Sequence, residues 1–548
     1  LAFSLRWPQH TARVWDALIR SRGLVLNELV ARRRAAATDD PGVAALHSDL
    51  AAAAEGLAKL SIRGAGKASS DKYREELASA QSEVERLERA LGEASAAFRD
   101  DRRRSQIGYD EVVHALPPGA ALIGFTRRSV FSDPVGTGTP DTSDYMALVL
   151  APGASAPTPM VLGPAPEIDA LVLAWRKAAV GPGVKKAKYS EDEETYRRAG
   201  EALRRRIWDP LASLLKGAKT VFVVPDGELG LVNLAALPLG ADRYLVEGGV
   251  LIHMLDEERG LVAPPGAGLD DRSVLLALGD PDFDWNGEAA GLARGSVASR
   301  MRGASGGCMS LDDVVFTRLP STAVETATIA GFWRRNKRDA VRLTGREATE
   351  AEFKRRAPGK TVLHLATHGF VIGERCEAGS VAGRGIGGLA PSRPPPVPEE
   401  DSSLELLGLA GLALAGANHR GEAGPDEEDG VITAMEIAYL DLAGVDWAVL
   451  SACDSGVGES VSGEGVFGFR RAFRIAGART VIMSLWPVED ASGLAWMEFL
   501  YRARLQEGMT TAESVQYASM ELLRDRRDAG LSTHPFYWGA FIAAGDWR

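Results

Sequence analysis

The chain has 548 residues, 45% apolar and 25% charged, so it is globular and too long for one ordinary core, and about three units of roughly 100 to 200 residues are expected. A formal charge of -11 and a pI near 5.5 argue against nucleic acid as the main partner, since a phosphate backbone needs a basic face. The longest apolar run, LLGLAGLALAGA from Leu406, has 12 residues, short of the roughly 18 to 20 that span a bilayer, so no membrane span is expected. The three cysteines, Cys308, Cys376 and Cys453, fit a reducing cytoplasm better than a disulfide framework. No signal-peptide pattern opens the chain, and a start at Leu1 rather than Met is expected of a fragment or a processed form.

Residues 1–104 read as helices. Val43, Leu46, Leu50, Ala53, Leu57 and Leu60 keep a three-four spacing, and so do Tyr73, Leu77, Ala80, Val84, Leu87, Leu91, Ala94 and Phe98. Gly64 to Ser70 is the expected turn between them, and the pair is expected to close on the rest of the body or on itself, with a dimerising coiled coil as the alternative.

Residues 105–262 alternate short β-like runs with helical ones, as a small α/β unit does. Strands are expected at Ala121 to Thr126, Tyr145 to Ala151 and Thr220 to Gly227, and helices at Pro166 to Val180 and Thr195 to Leu215. His253 sits mid-strand without a nucleophile and reads as structural.

Residues 263–548 form the third unit. Strands are expected at Ser273 to Phe283, Ala340 to Leu343, Thr361 to Phe370, Trp447 to Cys453, Thr480 to Val488 and Tyr537 to Ala544. Helices lie between them at Ser321 to Lys337, Glu347 to Arg356, Val431 to Gly444, Gly465 to Ala476, Ala491 to Gln506 and Ala512 to Arg526. This order means a mostly parallel sheet with helices on both faces. Two polar loops, Glu374 to Asp401 and Asn418 to Asp429, interrupt it; the first is too long and too rich in glycine and proline to order itself without a partner.

Two strand ends carry the chemistry. TVLHLATHGF stops at His368 before Gly369, and WAVLSACDSG stops at Cys453 before Asp454, Ser455 and Gly456. Side chains at the carboxyl ends of parallel strands face a shared crevice, and an imidazole beside a thiol is what a cysteine hydrolase needs. Taken alone, a strand-end cysteine such as Cys453 is structural more often than catalytic. His364 shares a strand face with His368 and is expected to fix the strand rather than react.

Two other strings compete and fail on context. Gly303 to Gly307 fits G-x-S-x-G but lacks the strand before the serine. Gly463 to Gly468 fits G-x-G-x-x-G, with Glu489 placed as a ribose acid, yet the first glycine lies ten residues beyond the Cys453 strand instead of directly off it.

The stretches GREATEAEFKRRAPGKTVLHLATHGF, LALAGAN, DGVITAMEIAYLDLAGVDWAVLSACDSGVGESVSGEGVFGFRRAFRIAGARTVIMSLWPVEDAS and PFYWGAFIAAGDW resemble the CHAT family of caspase-like cysteine peptidases, relatives of caspases and separase. The resemblance runs from about Ile107 to Arg548 and holds the motifs H-x-A-T-H-G and S-A-C-x-[ST]-G in the family's order. It implies a caspase-like, mostly parallel sheet flanked by helices. Residues 105–262 resemble the non-catalytic caspase-like α/β half, and residues 1–104 resemble helices that come after a repeat array, although no repeat is recognisable there.

The resemblance maps His368 to the catalytic histidine and Cys453 to the nucleophile of an endopeptidase acting through a thioester. Backbone N–H groups of Gly369 and Cys453 are the expected oxyanion donors. No metal and no other cofactor is implied, since no His/Cys/Asp cluster has ligand spacing. Protein substrates and an activating protein partner or upstream repeat domain are expected, with an inactive scaffold that binds partners as the alternative. For specificity, Glu489 and Asp490 close the strand beside Cys453, and Asp490 is the expected acceptor of an arginine or lysine before the scissile bond; its bland role is to cap the helix from Ala491. Asp429, Asp454 and Glu464 are the next candidates.

Overall fold

Apolar stripes at three-four spacing pull the N-terminal stretch into helices, and β-branched runs bounded by turns supply the strands. The computed structural model describes residues 8–22, 41–63, 70–94, 107–130, 142–180, 189–263, 266, 268–286, 314–371, 410–423, 427–451 and 464–548. The first part holds α1 (Thr11–Ser21), α2 (Pro41–Arg63), α3 (Ser70–Ala94), α4 (Tyr109–Ala115), β1 (Ala120–Val130), β2 (Thr142–Leu150), β3 (Thr158–Pro164), α5 (Ala165–Val180) and α6 (Tyr189–Ile207). Then come β4 (Thr220–Val224), the short pair β5 (Pro238–Leu239) and β6 (Arg243–Tyr244), and β7 (Leu251–Met254).

The remainder holds β8 (Leu275–Pro281), α7 (Pro320–Arg335), β9 (Ala340–Gly345), α8 (Glu350–Arg356), β10 (Val362–Ala366), β11 (Gly369–Val371), β12 (Ala410–Ala413), β13 (Val431–Thr433) and α9 (Ala434–Ala438). It closes with β14 (Trp447–Leu450), α10 (Glu464–Ala476), β15 (Thr480–Ser484), α11 (Asp490–Leu505), α12 (Thr511–Asp528) and β16 (Phe541–Gly545).

One eleven-stranded sheet runs β3-β2-β1-β4-β7-β16-β15-β14-β10-β8-β9, so the stretches 105–262 and 263–548 share it. Strands β1, β4, β7 and β16 run parallel to one another, as do β9, β8, β10, β14 and β15. The two sets meet head to tail where β16 lies antiparallel on β15. Strands β8, β10, β14 and β15 are buried along their whole length, which is why they read as continuous apolar runs rather than alternating ones. A small antiparallel sheet, β11-β12-β13, stands at the end of β10.

Helices α2 and α3 pack on each other as a hairpin, and α2 packs on α9. Val43, Leu50 and Leu57 of α2 and Val84 and Leu87 of α3 join the same buried core as the sheet. Of the turn expected between them, residues 64–69 lie outside the described residues. Helix α1 instead buries Trp15 and Ile19 with Phe222 and Leu255 on the β1–β4–β7 part.

Several elements differ from their sequence reading, among them the strand expected at Thr361 to Phe370, which is split into β10 and β11, and three differ for a plain local reason. The helix expected from Val431 begins only at Ala434, because Val431 to Thr433 pair with β12 and Thr433 caps α9 in a capping box with Glu436. The helix expected through Leu215 ends at Ile207, and Pro210 in the 3-10 turn beyond it cannot donate the backbone bond an α-helix needs. The closing strand starts at Phe541 rather than Tyr537, since Trp538 and Gly539 donate their N–H groups back to Pro535 in a turn.

Candidate active site

Strand β10 holds one histidine inside the sheet and delivers the other just past its end. His364 is fully buried inside the strand, bonded through Nε2 to Glu325 of α7 at 2.9 Å and through Nδ1 to the Tyr501 hydroxyl of α11 at 3.1 Å. It pins the strand to two helices. Thr367 leaves the strand by donating its hydroxyl to the carbonyl of Ala413, and His368 comes next, at the rim.

His368 is packed against Phe283 and Phe316, with ring centroids 5.3 and 5.7 Å away. Its Nε2 lies 2.8 Å from the carbonyl oxygen of Thr317. A carbonyl only accepts, so Nε2 carries the proton and Nδ1 is the basic nitrogen of the neutral ring. Burial pushes the imidazole below its ordinary pKa, and the Thr317 carbonyl opposes that shift in part. A neutral, oriented imidazole is the form that can take a proton from a thiol.

The other strand end lies beside this one. Leu365 pairs with Leu450 in register, and the Ser451 N–H donates to Leu365 at 2.9 Å. Cys453, Asp454, Cys308, Cys376, the Gly303 to Gly307 string and the loop from Glu374 to Asp401 lie outside the described residues. Gly369 is described and opens β11.

The specificity candidates scatter. Glu489 and Asp490 are both exposed, and Glu489, not Asp490, caps α11, accepting the Ser492 N–H at 3.0 Å and its hydroxyl at 2.6 Å. The capping role expected of Asp490 therefore belongs to its neighbour, and Asp490 is the first helical residue. Glu464 is the first residue of α10, so Gly465 and Gly468 sit within a helix and not in a phosphate loop.

Asp429 faces another place altogether. It precedes β13, accepts the Val431 N–H at 2.8 Å, and burial, then its carboxylate neighbours Glu436 and Glu428, raises its pKa to about 6. Those neighbours surround Lys354 of α8. The Lys354 ammonium is 2.7 Å from Glu350, 2.9 Å from Glu436, 3.1 Å from Glu428 and 3.9 Å from Glu55 of α2. Burial works against that ammonium, but the carboxylates more than offset it and raise its pKa. Glu350 is pushed well above the carboxylate range by burial and by Glu436.

Oxygens of Glu55, Glu428 and Glu436 come within 4.8 Å of one another, close enough to share a cation. Ligand spacing along the chain could not hint at this, because the three residues come from segments far apart. Lys354 already supplies positive charge at that point. A cavity of about 50 Å³ lined by Val223, His253, Gln516 and Phe541 lies between β7, β16 and α12. It has room for a few waters and not for a peptide side chain, and it shares no residue with the surroundings of His368. His253 there is buried and bonded to the Gly545 carbonyl, which agrees with a structural role.

Thr317, Phe283 and Phe316 were not singled out in the sequence. A carbonyl that any residue could supply leaves no signature, and two phenylalanines before and after a long low-complexity segment read as ordinary core.

A buried, mostly parallel sheet flanked by helices, with a histidine on its rim, defines the class as mixed α/β proteins. A CHAT domain profile matches residues 197–546, and the chain belongs to that family. Among solved structures, two separase–securin complexes from Saccharomyces cerevisiae are similar, with TM-scores of 0.42 and 0.41 at 8% and 9% identity. The first match covers 86% of this chain but only 34% of the separase chain. The Arg-specific cysteine proteinase gingipain R matches with a TM-score of 0.34 and 9% identity over 70% of this chain and 74% of its own. No curated protein matches. Among the described residues, no helix is long and apolar enough to cross a membrane.

Proposed function

We propose that the protein is a cysteine endopeptidase acting through His368 and Cys453. The observation that carries this reading is the bond from His368 to the Thr317 carbonyl, which leaves Nδ1 as the base at the sheet rim. In sequence, Cys453 comes after Leu450 by the same three residues that separate His368 from its register partner Leu365. Cys453 gives its proton to His368, and the thiolate attacks the scissile carbonyl carbon. The tetrahedral oxyanion is met by the N–H groups of Gly369 and Cys453. His368 returns the proton to the leaving amine as the C–N bond breaks, then takes one from water as that water attacks the thioester and frees the acid and the thiol.

The substrate is a protein chain cut after arginine or lysine, with Asp490 as acceptor, since the neighbouring carboxylate of Glu489 is committed to its helix cap. Three cysteines without a disulfide pattern suit a reducing compartment, the cytoplasm, where the nucleophile stays a thiol. Activation comes from a protein partner or an upstream repeat domain. The support for this is the docking of α2 on α9, next to the strand β13 that pairs through β12 to β11, immediately after His368.

A panel of fluorogenic peptides tests the reading, with Cys453→Ala and His368→Ala each expected to remove cleavage while the fold is kept. Iodoacetamide is expected to label Cys453 faster than Cys308 or Cys376. Slower labelling of Cys453, or cleavage that survives Cys453→Ala, overturns the reading. A protein that binds partners but never cleaves is the inactive scaffold instead.

A further inference from the structure

We infer that Asn418 is a positioning residue for His368, acting through the backbone of the irregular segment from Val314 to Arg318. The inference rests on the proposed role of His368 as acid and base.

That segment has no helix or strand of its own, and Val315, Thr317 and Arg318 are exposed. Yet it carries the carbonyl that fixes the imidazole of His368. An unsupported exposed backbone would let the carbonyl wander, and a misplaced base costs far more rate than a lost surface contact. Something outside the segment must hold it.

The holding groups are side chains. Asn418 treats Phe316 as a neighbouring strand would, accepting its N–H at 2.8 Å and donating Nδ2 to its carbonyl at 2.9 Å. Both bonds fall on the residue directly before Thr317. The same amide nitrogen also lies 2.7 Å from Asp284. Two residues on, the buried Arg420 donates to the Val314 carbonyl at 2.8 Å and stands over the Phe316 ring. On the far side of Thr317, Arg318 is gripped by Asp280 through two bonds of 2.9 and 2.6 Å.

Each clamp is in turn fixed. Gly416, at φ 94°, turns the chain into the 3-10 helix Ala417–Glu422 that presents Asn418 and Arg420. A side chain at Gly416 is disfavoured by that angle. The N–H groups of Gly416 and Asn418 donate to the carbonyls of Asp282 and Phe283, so the helix is tied to the end of β8. Asp280 sits at φ 46°, a left-handed conformation seldom adopted by residues other than glycine, with its N–H on the Thr322 hydroxyl. The second polar loop of the sequence thus begins as a 3-10 helix. Asn418 is the last residue of LALAGAN, a stretch of the resemblance that holds neither dyad residue.

The test is ¹⁵N NMR of histidine-labelled protein at a pH where His368 is neutral, with its signals assigned by His368→Gln. The parent is expected to show the Nε2–H tautomer alone. Asn418→Ala is expected to show a mixture with Nδ1–H, and on the best peptide of the panel a kcat lower by about 10- to 100-fold with KM within about two-fold. Arg318→Met, whose head group is 46% exposed, is expected to do the same more weakly. A folded Asn418→Ala with the parent tautomer and the parent kcat overturns the inference; where that variant does not fold, the same result in Arg318→Met does. If the parent cleaves nothing, the peptidase reading fails, and the tautomer comparison still decides the role of Asn418.

Discussion

The ammonium of Lys354 on α8 lies 2.9 Å from the carboxylate of Glu436 on α9, and the same nitrogen is 3.9 Å from Glu55 on the N-terminal hairpin. One cation therefore ties the hairpin to the helix that comes after β13. Lys354→Met leaves the buried Glu350 and Glu436 facing each other with Glu428, and uncompensated buried charge of that kind costs about 3 to 5 kcal/mol. Urea unfolding is expected to show that loss at neutral pH, and amide exchange at Leu50 and Leu57 is expected to accelerate first. Unchanged stability and exchange would mean that apolar packing alone holds the hairpin.

Asp429, with Glu428, Glu436 and Lys59 around it, has a folded pKa of about 6 against an ordinary value of 3.8. The folded state then binds the proton more tightly, so this group lowers stability as pH rises from about 4 to 6, and the cost is constant above that. Asp429→Asn keeps an oxygen to accept the Val431 N–H and removes the charge. It is expected to stabilise the protein by about 1 to 2 kcal/mol at pH 7, after allowance for solvent screening of a partly buried carboxylate, and by almost nothing at pH 3.5. Thermal melts at the two values check the sign.

His364 and Glu325 form a buried pair with no place in the proposed chemistry. Glu325→Ala strands the imidazole and is expected to cost about 3 kcal/mol. The folded fraction is expected to keep its peptide turnover, in contrast to His368→Ala. Equal loss of turnover at matched folded fraction would assign His364 a role in the reaction.

The sequence made the strands of residues 263–548 and their order legible, because β8, β10, β14 and β15 are short buried runs, mostly apolar, that stop at or next to proline, serine or threonine. It separated His364 from His368 by position alone, and the structure distinguishes them by partners. What stayed hidden depends on contacts between distant segments. Lys354 gathers acids from α2, α9 and the turn before β13, and Asn418 reads a backbone about a hundred residues before it. Neither leaves a period or a local spacing. The helix misread at Val431 shows the related limit: a β-branched run short enough to be either was decided by an open strand edge on β12.

Asp490 is exposed at the start of α11, so its attraction for a substrate guanidinium is screened in the resting protein. Asp490→Ala is accordingly expected to lower kcat/KM for an arginine peptide by only about 5- to 10-fold, the worth of about 1 kcal/mol. The ratio of arginine to leucine cleavage should fall by the same factor. An unchanged ratio moves the pocket to Asp454 or Glu464.

Burial lowers the pKa of His368 below 6.5. As pH falls, the ring is protonated later than an ordinary histidine, so the acid limb of kcat/KM is expected to lie below pH 6.5. Activity that already declines above that value would assign the limb to another group. The same depression means that stability is lost as pH drops through 6.5, where the unfolded chain takes up a proton that the folded one refuses.

Strand β16 lies C-terminal to every other strand and is the one that joins β7 to β15. On a ribosome that delivers the chain from its N-terminus at about 5 to 20 residues per second, the two halves of the sheet stay separate until Gly545 has emerged. Each half meanwhile holds an open edge, one on β7 and one on β15, where this strand later pairs. Completion of the sheet thus comes after His368 and Cys453 have both been made, and a nascent chain carries them for some time before the sheet beneath them is whole.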